Sequence, residues 1–402
     1  MRILIAGESY YPGSNGQAVF TIHLAEGLAA AGNEVLALVP YDHSSPKVER
    51  LNGVLVHRRA TADFSRFKPE MYVTSPWDPG IERIVREFNP QVIHIQDHYP
   101  LSRNALRVAH HLGIPIMGTN HFLPENLMPF VPRFLPLRRA QVIRFLWWTM
   151  LSVYRRLDTI TTPTETAAAI LRQQPLQVPV QAISCGVDTH HFCPRVGLDR
   201  AAIRIRFGLD PTRPLFLYVG RLEGEKRLDI LLRALALQKN PEARLAIGGK
   251  GSQAHALAAL ARRLGIAERV TFTGYISPED LPLLLGAADI FCMPSPEELQ
   301  SIATLEAMSS AKPVLAANAR ALPELIANGV NGMLFRTNDV QDAARAMQQL
   351  LENAPVWERM GEAGLARSRA HSLENTIRRY EEVYRTLIHE PQPAEEESVA
   401  LR

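Results

Sequence analysis

Short, unbroken apolar runs recur along the chain, each followed by a longer stretch in which apolar positions repeat at helical spacing. Unbroken runs fit strands buried on both faces, and the periodic stretches fit the helices that cover them. In the first half this predicts strands over 3–6, 35–39, 92–95, 114–118, 159–162 and 180–183. Helices are expected over 19–31, 81–88, 101–112, about 137–157 and 166–172. Gly32 stands where a helix end needs a left-handed residue, and Asn52-Gly53 before Val54-Leu55-Val56-His57 predicts a small antiparallel excursion. The pattern then restarts. Strands are expected over 215–219, 245–247, 270–272, 290–293, 314–316 and 333–335, and helices over 228–237, 253–264, 278–285, 302–310, 322–328 and 340–351.

Two rounds of strand and helix indicate an α/β chain of two facing, doubly wound, Rossmann-like domains. The expected division is 1–184 and 185–371, with Pro175, Pro179, Pro194, Pro211 and Pro214 clustered about the join. A helix over 372–389, apolar at Leu373, Ile377, Tyr380, Val383, Tyr384 and Leu387, needs a surface to cover and is expected to return to the N-terminal domain. The acidic, proline-bearing tail 390–402 is expected to be disordered. A length of 402 residues suits two cores, and 46% hydrophobic with 21% charged residues excludes a disordered chain or a membrane bundle. A formal charge of +3 is too balanced for a nucleic-acid binder. Three cysteines (Cys185, Cys193, Cys292) make no disulfide framework and have no metal-ligand spacing. The first apolar run is short for a signal peptide and turns polar at Glu8, and no run is long enough to span a bilayer. The expected setting is the reducing cytoplasm.

Ligands of doubly wound sheets sit at the carboxyl ends of the strands, and three segments put glycine or charge there. Tyr11-Pro12-Gly13-Ser14-Asn15-Gly16-Gln17 joins the first strand to the first helix. It lacks the order of the dinucleotide fingerprint, and a tight turn and a phosphate loop fit it equally. In Val219-Gly220-Arg221-Leu222-Glu223-Gly224-Glu225-Lys226-Arg227, Arg221 should leave a strand tip and Lys226 should open the next helix. A cation there opposes the helix dipole, so an anionic ligand would explain it; a solvated turn of mixed charge is the alternative. The most informative segment runs from Met293 to Met308. Glu298 follows a strand and Glu306 lies eight residues on, inside a helix, so two carboxylates reach one cleft at different depths. Between them the amides of Gln300, Ser301 and Ile302 open a helix and suit phosphate, while carboxylates accept sugar hydroxyls. The alternative makes Glu298 a first-turn acid and Glu306 a surface residue, although Glu306 stands among Leu305, Ala307 and Met308.

These segments resemble the retaining, nucleotide-sugar-dependent glycosyltransferases of family 4 (glycosyl transferases group 1), which have the two-domain GT-B fold with an interdomain cleft. The matching pieces are Gly220-Arg221-Leu222 with Lys226, Glu298 with Glu306, Leu305-Glu306-Ala307-Met308 running into Lys312-Pro313-Val314, and Leu322-Pro323-Glu324-Leu325-Ile326 with Asn331-Gly332. Val270-Thr271-Phe272-Thr273-Gly274 and Gly186-Val187-Asp188 also match, and the likeness runs from the first strand to about residue 388. The N-terminal loop and Thr119-Asn120-His121 match less closely. The resemblance implies catalytic roles for Arg221 and Lys226 on the donor diphosphate, Glu298 on the donor sugar and His121 near that sugar. It implies donor binding by Gly16 and Gln17 in the first loop, by Gln300, Ser301 and Ile302, by Glu306 on the ribose, and by Tyr275 and Ile276 beside the base. Many members carry an aromatic residue and glycine where this chain has Gln300-Ser301, so sugar identity does not transfer. No Asp-x-Asp occurs; no metal and no cofactor are expected, with Arg221 and Lys226 in the metal's place.

Residues 129–157 hold six arginines (133, 138, 139, 144, 155, 156) and no acid, interleaved with aromatic and aliphatic residues that include Trp147 and Trp148. Residues 1–185 carry 18 Lys+Arg against 14 Asp+Glu, and the remainder 26 against 27. Arg138, Arg139, Arg144, Trp147 and Trp148 fit an anionic bilayer interface or a lipid acceptor; equally, the tryptophans fit a core and the arginines a solvated face. The segment loosely resembles its counterpart in diacylglycerol glycosyltransferases. His94, His98, His110, His111 and His121 have no metal-ligand spacing, and Asp97-His98 suits either an acceptor contact or a structural hydrogen bond. The expected function is transfer of a hexose from a nucleotide-sugar to a hydroxyl of a membrane lipid or glycan precursor, at the cytoplasmic face of the membrane if the acceptor is a lipid. The alternatives are transfer to a soluble metabolite or oligosaccharide, and a non-catalytic nucleotide-sugar-binding subunit.

Overall fold

The apolar run that opens the chain becomes the middle strand of a sheet, with Ile3, Leu4, Ile5 and Ala6 fully buried. In the computed structural model, which describes residues 1–11, 15–41, 47–63, 72–75, 77–124 and 139–389, the chain divides into two units. One is Met1–Ile183 with Thr376–Arg402, the other Ser184–Asn375.

In the first unit the order is β1 (Arg2–Ala6), α1 (Gly16–Ala30), β2 (Glu34–Tyr41), β3 (Lys47–Leu51), β4 (Val54–Asp63), β5 (Tyr72–Thr74), α2 (Gly80–Phe88), β6 (Val92–Ile95), α3 (Pro100–Leu112), β7 (Ile116–Thr119), α4 (Arg139–Tyr154), β8 (Thr159–Thr162), α5 (Glu165–Arg172) and β9 (Val180–Ala182). The sheet runs β3-β4-β2-β1-β6-β7-β8-β9, with β5 beside β4. All its pairings are parallel except β3–β4 and β4–β5. The β3–β4 hairpin turns at Asn52 and Gly53, both with positive φ, as the two-residue loop requires. Gly32 likewise follows α1 at φ +86°. Strand order reverses between β1 and β6, so their carboxyl ends form this unit's topological switch point.

In the second unit the order is α6 (Arg200–Arg206), β10 (Leu215–Val219), α7 (Leu228–Ala236), β11 (Arg244–Gly248), α8 (Ala254–Arg263), β12 (Val270–Gly274), α9 (Leu281–Ala287), β13 (Ile290–Met293), α10 (Ile302–Ser309), β14 (Val314–Ala317), α11 (Leu322–Leu325), β15 (Gly332–Phe335), α12 (Val340–Glu352) and α13 (Trp357–Ser368). Six parallel strands run β12-β11-β10-β13-β14-β15, with the reversal between β10 and β13.

The last helix, α14 (Leu373–His389), runs from the second unit into the first. There its tyrosines reach the sheet. Tyr384 Oη hydrogen-bonds His94 Nδ1 at 2.8 Å, and His94 Nε2 meets Thr119 Oγ1 at 2.7 Å. Thr161 Oγ1 joins Thr119 Oγ1 at 2.6 Å and Tyr380 Oη at 3.1 Å. Burial pushes His94 down to about 3, so the ring is neutral and its two nitrogens serve one donor and one acceptor. Stripping a partner from such a buried group costs roughly 1–3 kcal/mol.

The structure departs from the sequence pattern in places. Lys226 does not open α7; it ends a 3₁₀ turn over Gly224–Lys226, and Arg227 at φ +51° precedes the helix. The helix expected over 322–328 is only Leu322–Leu325. The sequence pattern hides α13 because Gly361 and Gly364 read as breakers. They serve close packing instead: a Cβ on Gly361 would collide with the Ala311 carbonyl oxygen. The tail 390–402, loop residues Pro12, Gly13 and Ser14, and Arg138 lie outside the described residues.

Candidate functional site

At the switch point of the second unit, β10 delivers Arg221 and the turn with Lys226, and the loop after β13 delivers Glu298. Lys226 Nζ donates to Glu298 Oε1 at 2.6 Å, with only 18% and 11% of their side chains exposed. Arg221 is more open, and its Nη2 donates to Glu225 Oε1 at 2.9 Å. A cation and a carboxylate predicted from distant stretches therefore meet.

Ser301 caps α10: its Oγ accepts the Thr304 amide at 3.3 Å and the Thr304 hydroxyl at 2.8 Å. The Ile302 and Ala303 amides come before Leu305, whose amide makes the first intrahelical bond to the Ser301 carbonyl, and none of the hydrogen bonds among the described residues uses them. This turn is available to an anion. Gln300 serves it differently from expectation. Its side chain holds the start of the unit, with Oε1 accepting from the Cys185 amide at 2.6 Å and Nε2 donating to Ser184 Oγ at 3.1 Å, so only its backbone is left for a ligand. Glu306, on α10, is half-buried. Burial raises its carboxyl to about 7, and it has no hydrogen-bond or ion-pair partner among the described residues. Such a carboxyl suits hydroxyl donors.

The adjoining glycines fix a second part of the site. Gly248, Gly249 and Gly251 surround Lys250 after β11, and a Cβ on Gly249 (φ +126°) would collide with the Gly220 carbonyl oxygen. Leu222 N donates to Lys250 O at 2.9 Å, and Gly249 N to Gly274 O at 2.6 Å, tying three strand ends together. Beside them lies a cavity of about 430 Å³ lined by Leu222, Lys250, His255 and Phe272. Lys250 Nζ stands 5.5 Å from the centre of the Tyr275 ring, which is 64% exposed, while Ile276 is buried. Lys250 is not among the residues expected from the sequence; three glycines in four residues at the end of an apolar strand are the signal that marks it.

Other motif residues hold the unit together. Lys312 Nζ donates to the Gly286 and Ala288 carbonyls at the end of α9, at 2.8 and 3.1 Å. Burial is the main cause lowering it to about 8. Fully buried Asn331 accepts from the Ala327 amide and donates to Leu325 O.

His121 lies in the first unit, after β7. Its Nε2 meets Gln96 Oε1 at 2.9 Å and its ring packs 4.8 Å from Phe20. An amide oxygen only accepts, so Nε2 carries the proton and Nδ1 keeps a lone pair. Burial lowers the ring to about 3, so it hydrogen-bonds without charge. Gly16 opens α1 on the surface, where a Cβ would meet nothing within 4 Å. Gln17 Nε2 is engaged with Gln96 O at 3.1 Å and Asp97 Oδ2 at 3.2 Å.

The structure separates the two tryptophans of α4. Trp147 packs on the core beside the sheet, whereas Trp148 is 62% exposed and stacks with Phe145, itself 59% exposed, at 5.9 Å. Arg139 and Arg144 are exposed on the same helix. Among the described residues no helix is long and apolar enough to cross a membrane, and no group of His, Cys, Asp and Glu gathers at metal-binding separations.

The family pattern of the glycosyl transferases group 1 matches residues 199–367, and that of glycosyltransferase family 4 matches residues 14–191. A D-inositol 3-phosphate glycosyltransferase of Corynebacterium aurimucosum is 30% identical over 76% of this chain and 74% of its own length. An alpha-monoglucosyldiacylglycerol synthase of Streptococcus pneumoniae is 25% identical over 83% of this chain and 75% of that protein. The chain spans about half the length of other curated relatives it matches, 54% and 41% of two of them. Sucrose-phosphate synthase from Thermosynechococcus elongatus shares the fold, with a TM-score of 0.79 at 22% identity over 96% of this chain and 99% of that one. With one match on each Rossmann-like unit and a relative aligned over most of both chains, this protein belongs to the family 4, group 1 glycosyltransferases of GT-B fold.

Proposed function

We propose that the chain is a retaining glycosyltransferase that moves a hexose from a nucleotide-sugar to a hydroxyl of a membrane lipid or glycan precursor, without a metal ion. The observation that carries this reading is the Lys226–Glu298 pair at 2.6 Å, set at a topological switch point with the first turn of α10. On donor binding, Lys226 and Arg221 face the diphosphate with the Ile302 and Ala303 amides, and Glu298 accepts from a sugar hydroxyl. Glu306 takes the ribose hydroxyls. The base lies by Tyr275 and Ile276, beside the cavity next to Lys250. Cleavage of the sugar–phosphate bond builds negative charge on the leaving group, and fixed cations and amides stabilise that charge most at the transition state. The leaving phosphate then helps remove the acceptor proton on the same face, which retains the anomeric configuration.

The lipid acceptor draws support from the exposed Phe145–Trp148 stack among arginines, which suits the interface of an anionic bilayer at the cytoplasmic face. A soluble acceptor is the second reading, favoured by the relative named for inositol 3-phosphate. A panel of UDP-, GDP- and ADP-sugars, scored by donor consumption with and without membrane lipid extract, tests the proposal. Lipid-dependent transfer is the expected result. Donor bound but never consumed would leave only a nucleotide-sugar-binding protein.

A further inference from the structure

Gln300 stands one residue before Ser301, the cap of α10, and its side chain leaves that turn for another part of the chain. Its amide has a fixed orientation. The Cys185 N–H only donates, so Oε1 faces it at 2.6 Å and Nε2 is left to donate to Ser184 Oγ at 3.1 Å. Ser184 Oγ also accepts from the Gly186 amide at 3.2 Å. With two N–H groups on this oxygen, its own proton goes to the nearer acceptor, His371 Nδ1 at 3.0 Å, rather than to Gln300 Oε1 at 3.3 Å. Burial first, and the Arg367 charge second, lower His371, which keeps that nitrogen an acceptor. A continuous line of side-chain hydrogen bonds therefore runs from Gln300 through Ser184 to His371.

The segments at its far end have a particular place in the chain. The chain leaves the first unit after Ile183 and returns to it after Asn375, so the residues next to these points hold both crossings. Backbone bonds tie the crossings to each other. Val187 N donates to His371 O and Leu373 N to Val187 O, each at 2.9 Å, around a parallel bridge between Val187 and Ser372. Cys185 and Val187 are buried, while Ser184, Gln300 and His371 are half-buried. A pairing this short opens more readily than the sheets on either side of it, so each further anchor changes how often it opens.

The near end of the line is the turn with the unused Ile302 and Ala303 amides. An anion that takes those amides holds the turn in one conformation, and with it the backbone that carries the Gln300 side chain. Ordering one end of a hydrogen-bonded series slows the opening of the other. The effect is reciprocal, since each end stabilises the other by the same factor.

We propose that Gln300 is a positioning residue that couples the diphosphate turn of α10 to both chain crossings, so that donor bound in the second unit is registered at the segments joining it to the first. This rests on the reading that places the diphosphate on that turn. The test is hydrogen–deuterium exchange, read by mass spectrometry, on the full chain with and without the nucleoside diphosphate of its preferred donor. Peptides over 301–308, 183–188 and 370–375 report the turn, the outgoing crossing and the returning one. The diphosphate should slow exchange in all three, by at least about 5-fold. Gln300→Met, close to glutamine in length but without its hydrogen bonds, should keep the slowing over 301–308 at saturating diphosphate and lose it over 183–188 and 370–375. Gln300→Glu keeps an acceptor for the Cys185 amide and the Ser184 hydroxyl and should restore the slowing at both crossings. Slowing over the turn with none at the crossings of the unaltered chain overturns the proposal without any variant. Crossings slowed as much in a folded Gln300→Met as in the parent overturn it too, as does a folded Gln300→Glu that behaves like Gln300→Met. Absence of slowing over 301–308 in the unaltered chain is the separate result that removes the diphosphate assignment itself.

Discussion

Replacing Lys226 by alanine removes two interactions at once, and they are separable. The first is structural. Lys226 and Glu298 are mostly buried, so deleting the ammonium leaves a shielded carboxylate without its cation. Such a loss costs about 3–5 kcal/mol when burial is complete and under about 1 kcal/mol at a free surface. Roughly 2 kcal/mol is the expectation for this intermediate case, or a fall in Tm of about 4–8 °C for a unit of this size. The second interaction is catalytic. A unit charge about 4 Å from the leaving phosphate is worth ~4 kcal/mol at an effective dielectric of about 20. Fixed stabilisers of transition-state charge lose about 10²–10³ in kcat when removed. Lys226→Ala should therefore lower kcat by at least ~10²-fold, read as nucleotide released from saturating donor and acceptor. Lys226→Ala/Glu298→Gln should recover most of the stability, because no unpaired charge remains, and none of the turnover. A Lys226→Ala enzyme within threefold of the parent would refute the electrostatic assignment, and a double variant as unstable as the single would refute the structural one.

Gly249→Ala drives a Cβ into the Gly220 carbonyl at a backbone angle alanine avoids; nucleotide affinity should drop at least ~10-fold, measured by calorimetry, with the circular dichroism spectrum kept. Glu306 is raised from 4.5 to about 7, so the folded state holds a proton that the unfolded chain has released between those values, and stability falls as pH rises through that window. Glu306→Gln should flatten that part of the stability profile in chemical denaturation, and an unchanged slope would contradict the burial argument. Tyr384→Phe orphans His94 Nδ1 and should cost roughly 1–3 kcal/mol without changing the donor half-saturation. Phe145→Ser/Trp148→Ser should abolish sedimentation with anionic liposomes while sparing nucleotide binding; retained sedimentation would move the acceptor toward a soluble molecule.

The strands were legible because parallel strands buried on both faces are unbroken apolar runs, and Ile3–Ala6 or Phe291–Met293 admit no other reading. The meeting of Glu8 and Asp97 at the ends of β1 and β6 was not. Glu8 looks like the polar end of a strand, and only the β1–β6 pairing brings it against Asp97, 89 positions away. Lys226 and Glu298 were each visible as candidates, but their contact spans 72 positions and depends on the order of β10 and β13. Conversely, Gln300 and Gln17 stood in segments of the right kind, and local packing turned both side chains to structural hydrogen bonds. The tryptophan pair was ambiguous because helical spacing alone does not say which of two adjacent residues faces the sheet; the structure packs half-buried Trp147 on the core and exposes Trp148.

Calorimetric titration of the full chain with the nucleoside diphosphate, monophosphate and free nucleoside of its preferred donor tests most directly whether Arg221, Lys226 and the first turn of α10 hold a pyrophosphate. The account predicts that the diphosphate binds at least ~10-fold tighter than the monophosphate, that the free nucleoside is weaker again, and that added salt narrows the gap. A free nucleoside that binds as tightly as its diphosphate would contradict it.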